Sequence, residues 1–240
     1  MPDGSATLCL TLHARIAEID AADWDACAGD GNPFVSHEFL SAMEDSGSAN
    51  SRTGWLPQHA VLRRDGGEIV AVVPMYAKSH SYGEYVFDHG WANALERAGE
   101  RYYPKLQAAV PFSPVPGPRL LCNPNAGVPQ AAVAEALTQL CQEMGLSSVH
   151  ITFCAQSEYD VLGAAGWLQR LGIQYHWQNE GYAQFDDFLA ALSSRKRKSI
   201  RRERRDAQSC GLEFVTLRGA DITARDWNYF YRFYESTVEW

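Results

Sequence analysis

The sequence predicts a mixed α/β (α+β) protein, and three observations carry that expectation. Strand-like and helix-like segments alternate along most of the 240 residues. Two apolar-rich runs, residues 58–63 and 68–77, flank Asp65-Gly66-Gly67, which is a hairpin signal and therefore implies an antiparallel pair. The composition, 46% hydrophobic and 21% charged, is that of a folded chain able to bury a core in one large domain or two smaller ones.

In order, residues 13–19 read as a short strand leading into a helix at 21–28. Asn32-Pro33 makes a turn before a second helix at 35–45, and the hairpin follows. Residues 78–91 are rich in aromatic and polar side chains without a period, and 92–105 reads as helix. Residues 111–118 hold four prolines and predict a loop or an edge strand. A short strand at 119–122, a helix at 128–144, a strand at 148–153 and a helix at 157–165 come next. The remainder reads as a strand at 174–179, helices at 185–192 and 195–209, a strand at 212–217 and a helix at 227–240. On that last helix Trp227, Phe230, Tyr231, Tyr234 and Val238 share one face. So wide an aromatic face needs a surface to pack on, from a continuation past Trp240 or from residues already present.

Several function classes are excluded. No apolar run approaches the roughly 20 residues of a membrane span. The N-terminus lacks the basic and apolar regions of a secretory signal. The six cysteines are scattered without a C-x-x-C pair, which argues against disulfide and zinc frameworks and for a reducing, cytoplasmic setting. No histidines stand at i, i+4, so no metal site is expected. Walker, G-x-G-x-x-G, G-x-S-x-G and H-E-x-x-H motifs are missing.

Charge is the most legible feature. The chain carries a net −8, yet residues 195–205 hold eight basic residues and one acid, a local +7, leaving −15 for the rest. The cations begin at the first turn of the predicted helix, where the backbone dipole is already positive. A bound anion would relieve that repulsion and use the free N–H groups. Arg197, Arg201 and Arg204 lie on one face, and Arg195, Lys198, Arg202 and Arg205 on another, a pattern suited to an extended polyanion. A solvated helix without a ligand is the alternative. The residues do not separate tRNA, a CoA or nucleotide phosphate, and an anionic lipid surface.

Residues 78–91 form a second constellation. They follow an apolar strand, and polar groups at such a strand end commonly line a cleft. His80, Glu84, Asp88 and His89 can act as general bases or substrate anchors. Lys78, Tyr82, Tyr85, His89 and Trp91 can bind substrate, with the aromatics as a platform for a sugar or peptide. A structured loop with hydrogen-bonded histidines is the alternative. Tyr102, Tyr103, Pro104 and Lys105, with Phe112, Pro114 and Arg119, read either as a second cleft wall or as a proline-rich loop packed on aromatics.

Residues 187–205, D-F-L-A-A-L-S-S-R-K-R-K-S-I-R-R-E-R-R, resemble the L-x-x-L-S-x-K-x-R-x-x-I-R-K/R segment of FemAB-like peptidoglycan aminoacyltransferases and related GNAT-like proteins. N-P-F-V-S-H-E-F-L at 32–40 and K-S-H-S-Y-G-E-Y-V-F-D-H-G-W at 78–91 resemble a bacterial group of N-acyltransferases placed beside FemAB. The resemblance spans 32–240. It implies a GNAT-like mixed sheet flanked by helices, with a first GNAT-like domain over 1–180 and the start of a second, incomplete one over 181–240.

The resemblance also implies acyl or aminoacyl transfer from an activated donor to an amine. Acyl-CoA or aminoacyl-tRNA is the implied co-substrate, with no tightly bound cofactor, and a peptidoglycan precursor is the implied acceptor. His80, Glu84 or Asp88 would serve as base, and Arg195, Arg197, Lys198, Arg201, Arg202 and Arg205 would hold the donor's phosphates. The sequence departs from acetyl-CoA-dependent GNAT enzymes at one motif. The pattern R/Q-x-x-G-x-G/A begins at Arg63, Gln169 and Gln208 and fails at Glu68, Gln174 and Glu213. A non-catalytic module that binds RNA or an anionic surface through the basic helix is the competing expectation.

Overall fold

The computed structural model describes residues 8–64 and 67–238. It resolves into two compact units, Met1–Ile173 and Gln174–Trp240. Among the described residues, no helix is long and apolar enough to cross a membrane.

The first unit is a mixed α/β arrangement of two four-stranded sheets, as the alternation of segments predicts. Its strands are β1 (Leu8–His13), β2 (Trp55–Pro57), β3 (His59–Arg64), β4 (Ile69–Val73), β5 (Met75–Lys78), β6 (Lys105–Ala108), β7 (Leu121–Cys122) and β8 (Val149–Ile151). One sheet has the order β1-β3-β4-β7, the other β2-β5-β6-β8. The predicted hairpin is present, with β3 antiparallel to β4, although Asp65 and Gly66 of its turn lie outside the described residues.

That hairpin runs through both sheets. The segment read as one strand over 68–77 breaks at Pro74, which has no N–H to offer a ladder. Its opposite arm breaks at Gln58, whose N–H bonds the Met75 carbonyl at 2.8 Å. Beyond the break β2 pairs with β5 in the second sheet, Trp55 opposite Lys78 and Pro57 opposite Tyr76. One long antiparallel pair is thus apolar at its hairpin end and carries polar residues at its open end.

The apolar end is the core. All five residues of β4, Ile-Val-Ala-Val-Val, are buried, as expected of a strand covered on both faces. One face packs on α4 (Gln130–Glu143) and α5 (Gln156–Ala164), with Leu62, Ala71 and Val73 meeting Val133, Leu137 and Leu162. The other packs on α1 (Ala21–Ala28) and α2 (His37–Asp45), where Val61 and Val72 meet Trp24, Val35 and Leu40. Asp20 caps α1 and Ser36 caps α2 through their side chains. A buried pair ties α2 to β3: the His59 ring lies 2.8 Å from Glu44 Oε1, and burial pushes the His59 pKa down.

Several boundaries differ from the sequence expectation. The first strand lies at 8–13, and only a 3-10 turn, Ile16–Glu18, precedes α1. Helix α3 (His89–Arg97) starts and stops early, because Lys105 opens strand β6. In the second unit α6 (Phe185–Ala191), α7 (Ser194–Gln208) and α8 (Ala224–Val238) match the predicted helices. The expected strands at 174–179 and 212–217 do not form. Both stretches are exposed and, among the described residues, have no neighbouring strand to pair with. The aromatic face of α8 remains exposed at Trp227, Phe230, Tyr231 and Tyr234, and Trp240 lies outside the described residues.

Candidate active site

The polar end of the long hairpin builds a site in the first unit. Side chains alternate across a strand, so Tyr76 and Lys78 on β5 share a face opposite Met75 and Ala77. On β6, Lys105 and Gln107 share that same face, with Lys78 directly opposite Lys105 and Tyr76 opposite Gln107. Trp55 of β2 flanks Lys78 on the other side. The opposite face supplies Met75, Leu106 and Ala108 to the core. One sheet therefore has an apolar face and a buried polar one.

Two lysines facing each other across an antiparallel pair repel unless acids separate them. Glu84 and Asp88, from the segment 79–88 after β5, do so. Lys105 Nζ donates to Glu84 Oε2 at 2.8 Å, to Asp88 Oδ2 at 2.7 Å and to Ser81 Oγ at 3.0 Å. All three ammonium protons are thereby committed. Tyr102 donates its hydroxyl proton to the same Asp88 oxygen at 2.7 Å, and Tyr103 bonds Ser81 at 2.8 Å. Lys78 Nζ lies 3.9 Å from Glu84 Oε1 and 3.6 Å above the centre of the Trp55 ring, and donates to the Tyr82 carbonyl at 3.3 Å. Lys78, Glu84, Asp88 and Lys105 are all buried, and together they are electrically neutral.

The two carboxylates are driven apart. Burial pushes Glu84 up, and the lysines only partly offset it. Burial also acts on Asp88, but hydrogen bonds from Lys105, Ser81 and Tyr102 outweigh it and hold its carboxyl well below the usual range. Asp88 is thus a fixed anion, whereas Glu84 is the better proton acceptor. Burial brings Lys78 down to about 8. Five buried side-chain atoms lack a hydrogen-bond partner among the described residues: Glu84 Oε1, Asp88 Oδ1, Trp55 Nε1, Tyr76 Oη and Gln107 Oε1. All five belong to this polar face or to the segment covering it. Such groups mark a place where a ligand or water completes the bonding.

The other expected site residues sit differently. His80 is half-buried, with its Nδ1 accepting the Tyr82 N–H at 3.2 Å and its ring pressed on Gly54, where a Cβ would meet Nε2 at 2.2 Å. Burial and Lys78 push its pKa down. One ring nitrogen is committed and the pKa is lowered, so it is a poorer base than Glu84. Tyr82, Tyr85, His89 and Trp91 are exposed, and the Tyr82 ring meets His80 edge-on at 5.0 Å and His89 at a tilt at 6.1 Å. Tyr85 and Phe87 hold the left-handed backbone at φ 59° and 49°, a strained conformation for aromatic residues that recurs at functional sites. The stretch 102–105 supplies Tyr102, Tyr103 and the central cation Lys105 to the cluster.

A family model described as peptidoglycan biosynthesis/recognition matches residues 15–240. The chain belongs to the FemAB-like family. Membership supports acyl transfer as the general class of activity. No curated protein matches this FemAB-like chain in sequence. Among solved structures, an aminoglycoside N-acetyltransferase in complex with CoA is 11% identical over 74% of this chain and 98% of its own, with a TM-score of 0.42. Glucosamine-6-phosphate N-acetyltransferase from Arabidopsis thaliana is 10% identical over 72% and 99%, with a TM-score of 0.39. An aminoglycoside 6'-N-acetyltransferase from Acinetobacter baumannii is 10% identical over 73% and 100%, also at 0.39.

The second unit of this FemAB-like chain holds the basic helix. Ser193 caps α7, accepting the Lys196 N–H at 3.5 Å. One basic face is tied to α6: Arg197 donates to the Ala190 carbonyl at 3.3 Å, Arg201 to Asp186 at 3.2 Å, and the Arg204 guanidinium stacks 4.3 Å above Phe185. An open groove of about 470 Å³ runs beside these contacts and is also lined by Arg205 and Gln208. The other face keeps Arg195, Lys198 and Arg202 exposed, with no ion pair among the described residues. The two faces, indistinguishable in sequence, therefore differ in availability.

Proposed function

We propose that this protein is an N-acyltransferase that moves an acyl or aminoacyl group from an activated donor to an amine. The observation that carries the reading is the buried Lys105–Glu84–Asp88 cluster, in which Lys105 and Tyr102 both bond Asp88 Oδ2 and hold it as an anion, while Glu84 receives one such bond and keeps Oε1 unpartnered. Glu84 Oε1 takes a proton from the acceptor ammonium. The freed amine attacks the donor carbonyl, a C–N bond forms, and the carbonyl π pair moves onto oxygen. When the pair returns, the C–S or C–O bond to the donor breaks. Before collapse the attacking nitrogen gives its second surplus proton to water, and the leaving thiolate or ribose oxygen receives the proton that Glu84 holds, so a neutral amide is left.

Acyl-CoA and aminoacyl-tRNA are both donors of the required chemistry, and both carry phosphates. Arg195, Lys198, Arg202 and Arg205 of α7, with Arg197 and Arg201 beside them, would hold those phosphates. The acceptor is an amine of the cell-wall precursor kind, which the family description supports. Tyr82, Tyr85, His89 and Trp91 would stack on its body, with the Lys78 ammonium beneath. In domain terms we read 1–180 as a first GNAT-like domain and assign 181–240 to a second. A reducing, cytoplasmic setting accords with six unpaired cysteines.

The test is a mass-spectrometric assay of the protein with acetyl-CoA or alanyl-tRNA and a lysine-containing muropeptide. One acyl group should appear on the amine, and Glu84→Gln should slow the transfer at least ~100-fold. The rate should fall as pH drops through a Glu84 pKa raised above the ordinary carboxylate value, because only the ionised form accepts the proton. Salt-sensitive RNA binding without any transfer would overturn the reading in favour of a binding module.

A further inference from the structure

The segment that covers the carboxylates also covers an indole N–H with nothing to bond. Trp55 is wholly buried, and its Nε1 has no partner among the described residues. A buried donor left unpaired is costly, so its persistence asks for an acceptor. The Gly83 backbone, at φ +78°, packs directly over it, an approach that only a residue without a Cβ allows. A Cβ there would lie 3.2 Å from Trp55 Nε1 and 2.6 Å from the Phe112 ring. The Phe112 ring lies against Gly83, half-exposed and itself at φ 55°.

The surroundings say what kind of acceptor belongs there. The Lys78 ammonium sits 3.6 Å from the centre of the Trp55 ring, and a cation on the π face draws electron density from the N–H. The same ammonium lies 3.9 Å from Glu84 Oε1, which lacks a proton donor. A donor without an acceptor and an acceptor without a donor thus flank one cation. A neutral carbonyl oxygen that gains negative charge while a nearby nitrogen loses a proton matches both vacancies.

We propose that Trp55 is the oxyanion donor of the acyl transfer: its Nε1–H, backed by Lys78, bonds the acyl carbonyl oxygen as the tetrahedral intermediate forms. This rests on the acyltransferase reading and adds a catalytic residue to it. The acyl carbonyl reaches Nε1 as the exposed Phe112 ring turns away from Gly83. Trp55 keeps its proton throughout; it stabilises the charge that the attacking amine creates and releases the oxygen when the carbonyl re-forms.

The experiment replaces Trp55 by β-(3-benzothienyl)alanine, which keeps the bicyclic shape and the Lys78 contact but has sulfur in place of N–H. Trp55→Phe is the genetic companion, and if it folds poorly the sulfur analogue decides. With acetyl-CoA or alanyl-tRNA as donor, kcat should fall roughly 100-fold or more while KM for the amine stays near the wild-type value. A sulfur analogue with wild-type kcat overturns the Trp55 role and leaves the acyltransferase reading standing. A wild-type protein that transfers from neither donor overturns both.

Discussion

The two densest collections of charge in this chain obey opposite rules. Around Lys105 the four ionised side chains are buried and sum to zero, and Lys105 holds both carboxylates and Ser81 by bonds of 2.7 to 3.0 Å. Along α7 the charges are exposed and nearly all of one sign, and only the face toward α6 finds partners. Burial forces pairing, because an isolated ion in an apolar interior is too costly to persist. Water imposes no such rule, so α7 can keep its cations uncommitted. The first region is therefore a device whose chemistry depends on its internal partners. The second depends on what arrives from outside.

The strongest way to break the contrast is to remove the cation at the centre of the buried cluster. Lys105→Met leaves Glu84 and Asp88 facing each other without an ammonium. The expected cost is about 3–5 kcal/mol, measured as a shift of the urea midpoint at constant slope. Partial relief is expected when Asp88→Asn is added, since one of the stranded charges is then gone. A Lys105→Met protein as stable as the wild type would mean that the cluster is not the closed neutral unit described above.

How much of this was legible in the sequence follows from the same contrast. Glu84 and Asp88 stand out because they crowd with His80, Tyr82 and Lys78 into one short polar segment after an apolar strand. Their cation does not, because Lys105 reaches them only through the pairing of β5 with β6, and cross-strand register is not written in local spacing. Trp55 is invisible for a related reason: β2 is three residues long, too short for alternation to show. Lys105 and Gln107 alternate with Leu106 and Ala108, the one signal that could have marked β6 as a strand with a polar face. The hairpin was readable from its turn, but its passage between two sheets depends on Pro74 and on the neighbours each half acquires. On α7 the charge run was plain, and what could not be read was which face α6 would occupy.

A smaller effect separates the two buried carboxylates from each other. Asp88 is held below its ordinary pKa, so its contribution to stability is present above the unfolded value. That contribution is lost as pH falls through the lower folded value. Glu84 is shifted upward, so its contribution is greatest below its unfolded value and is lost as pH rises through the folded one. Acid unfolding followed by fluorescence should therefore be blunted by Asp88→Asn and steepened by Glu84→Gln. The same direction of change in both variants would show that the carboxylates do not divide into a fixed anion and a proton acceptor.

The smallest effects on stability belong to α7, and there the comparison becomes sharpest. Arg201 and Asp186 are both largely exposed, 54% and 69% in their side chains, so a double-mutant cycle on this pair should return no more than about 1 kcal/mol, fading with added salt. Arg195→Gln with Arg202→Gln, on the exposed face, should change stability by less than ~0.5 kcal/mol. Their functional effect should be larger. If α7 holds a polyanionic donor, losing two cations lowers the slope of log affinity against log salt by about 2 for alanyl-tRNA. The paired face gives the control. Arg201→Gln must first lose Asp186, which leaves Asp186 as an uncompensated acid beside the groove, so it should weaken donor binding more than its single charge accounts for, and Asp186→Asn should restore part of the loss. Equal effects from Arg201→Gln and Arg202→Gln, unaltered by Asp186→Asn, would mean that the contacts to α6 do not govern which cations of α7 are available.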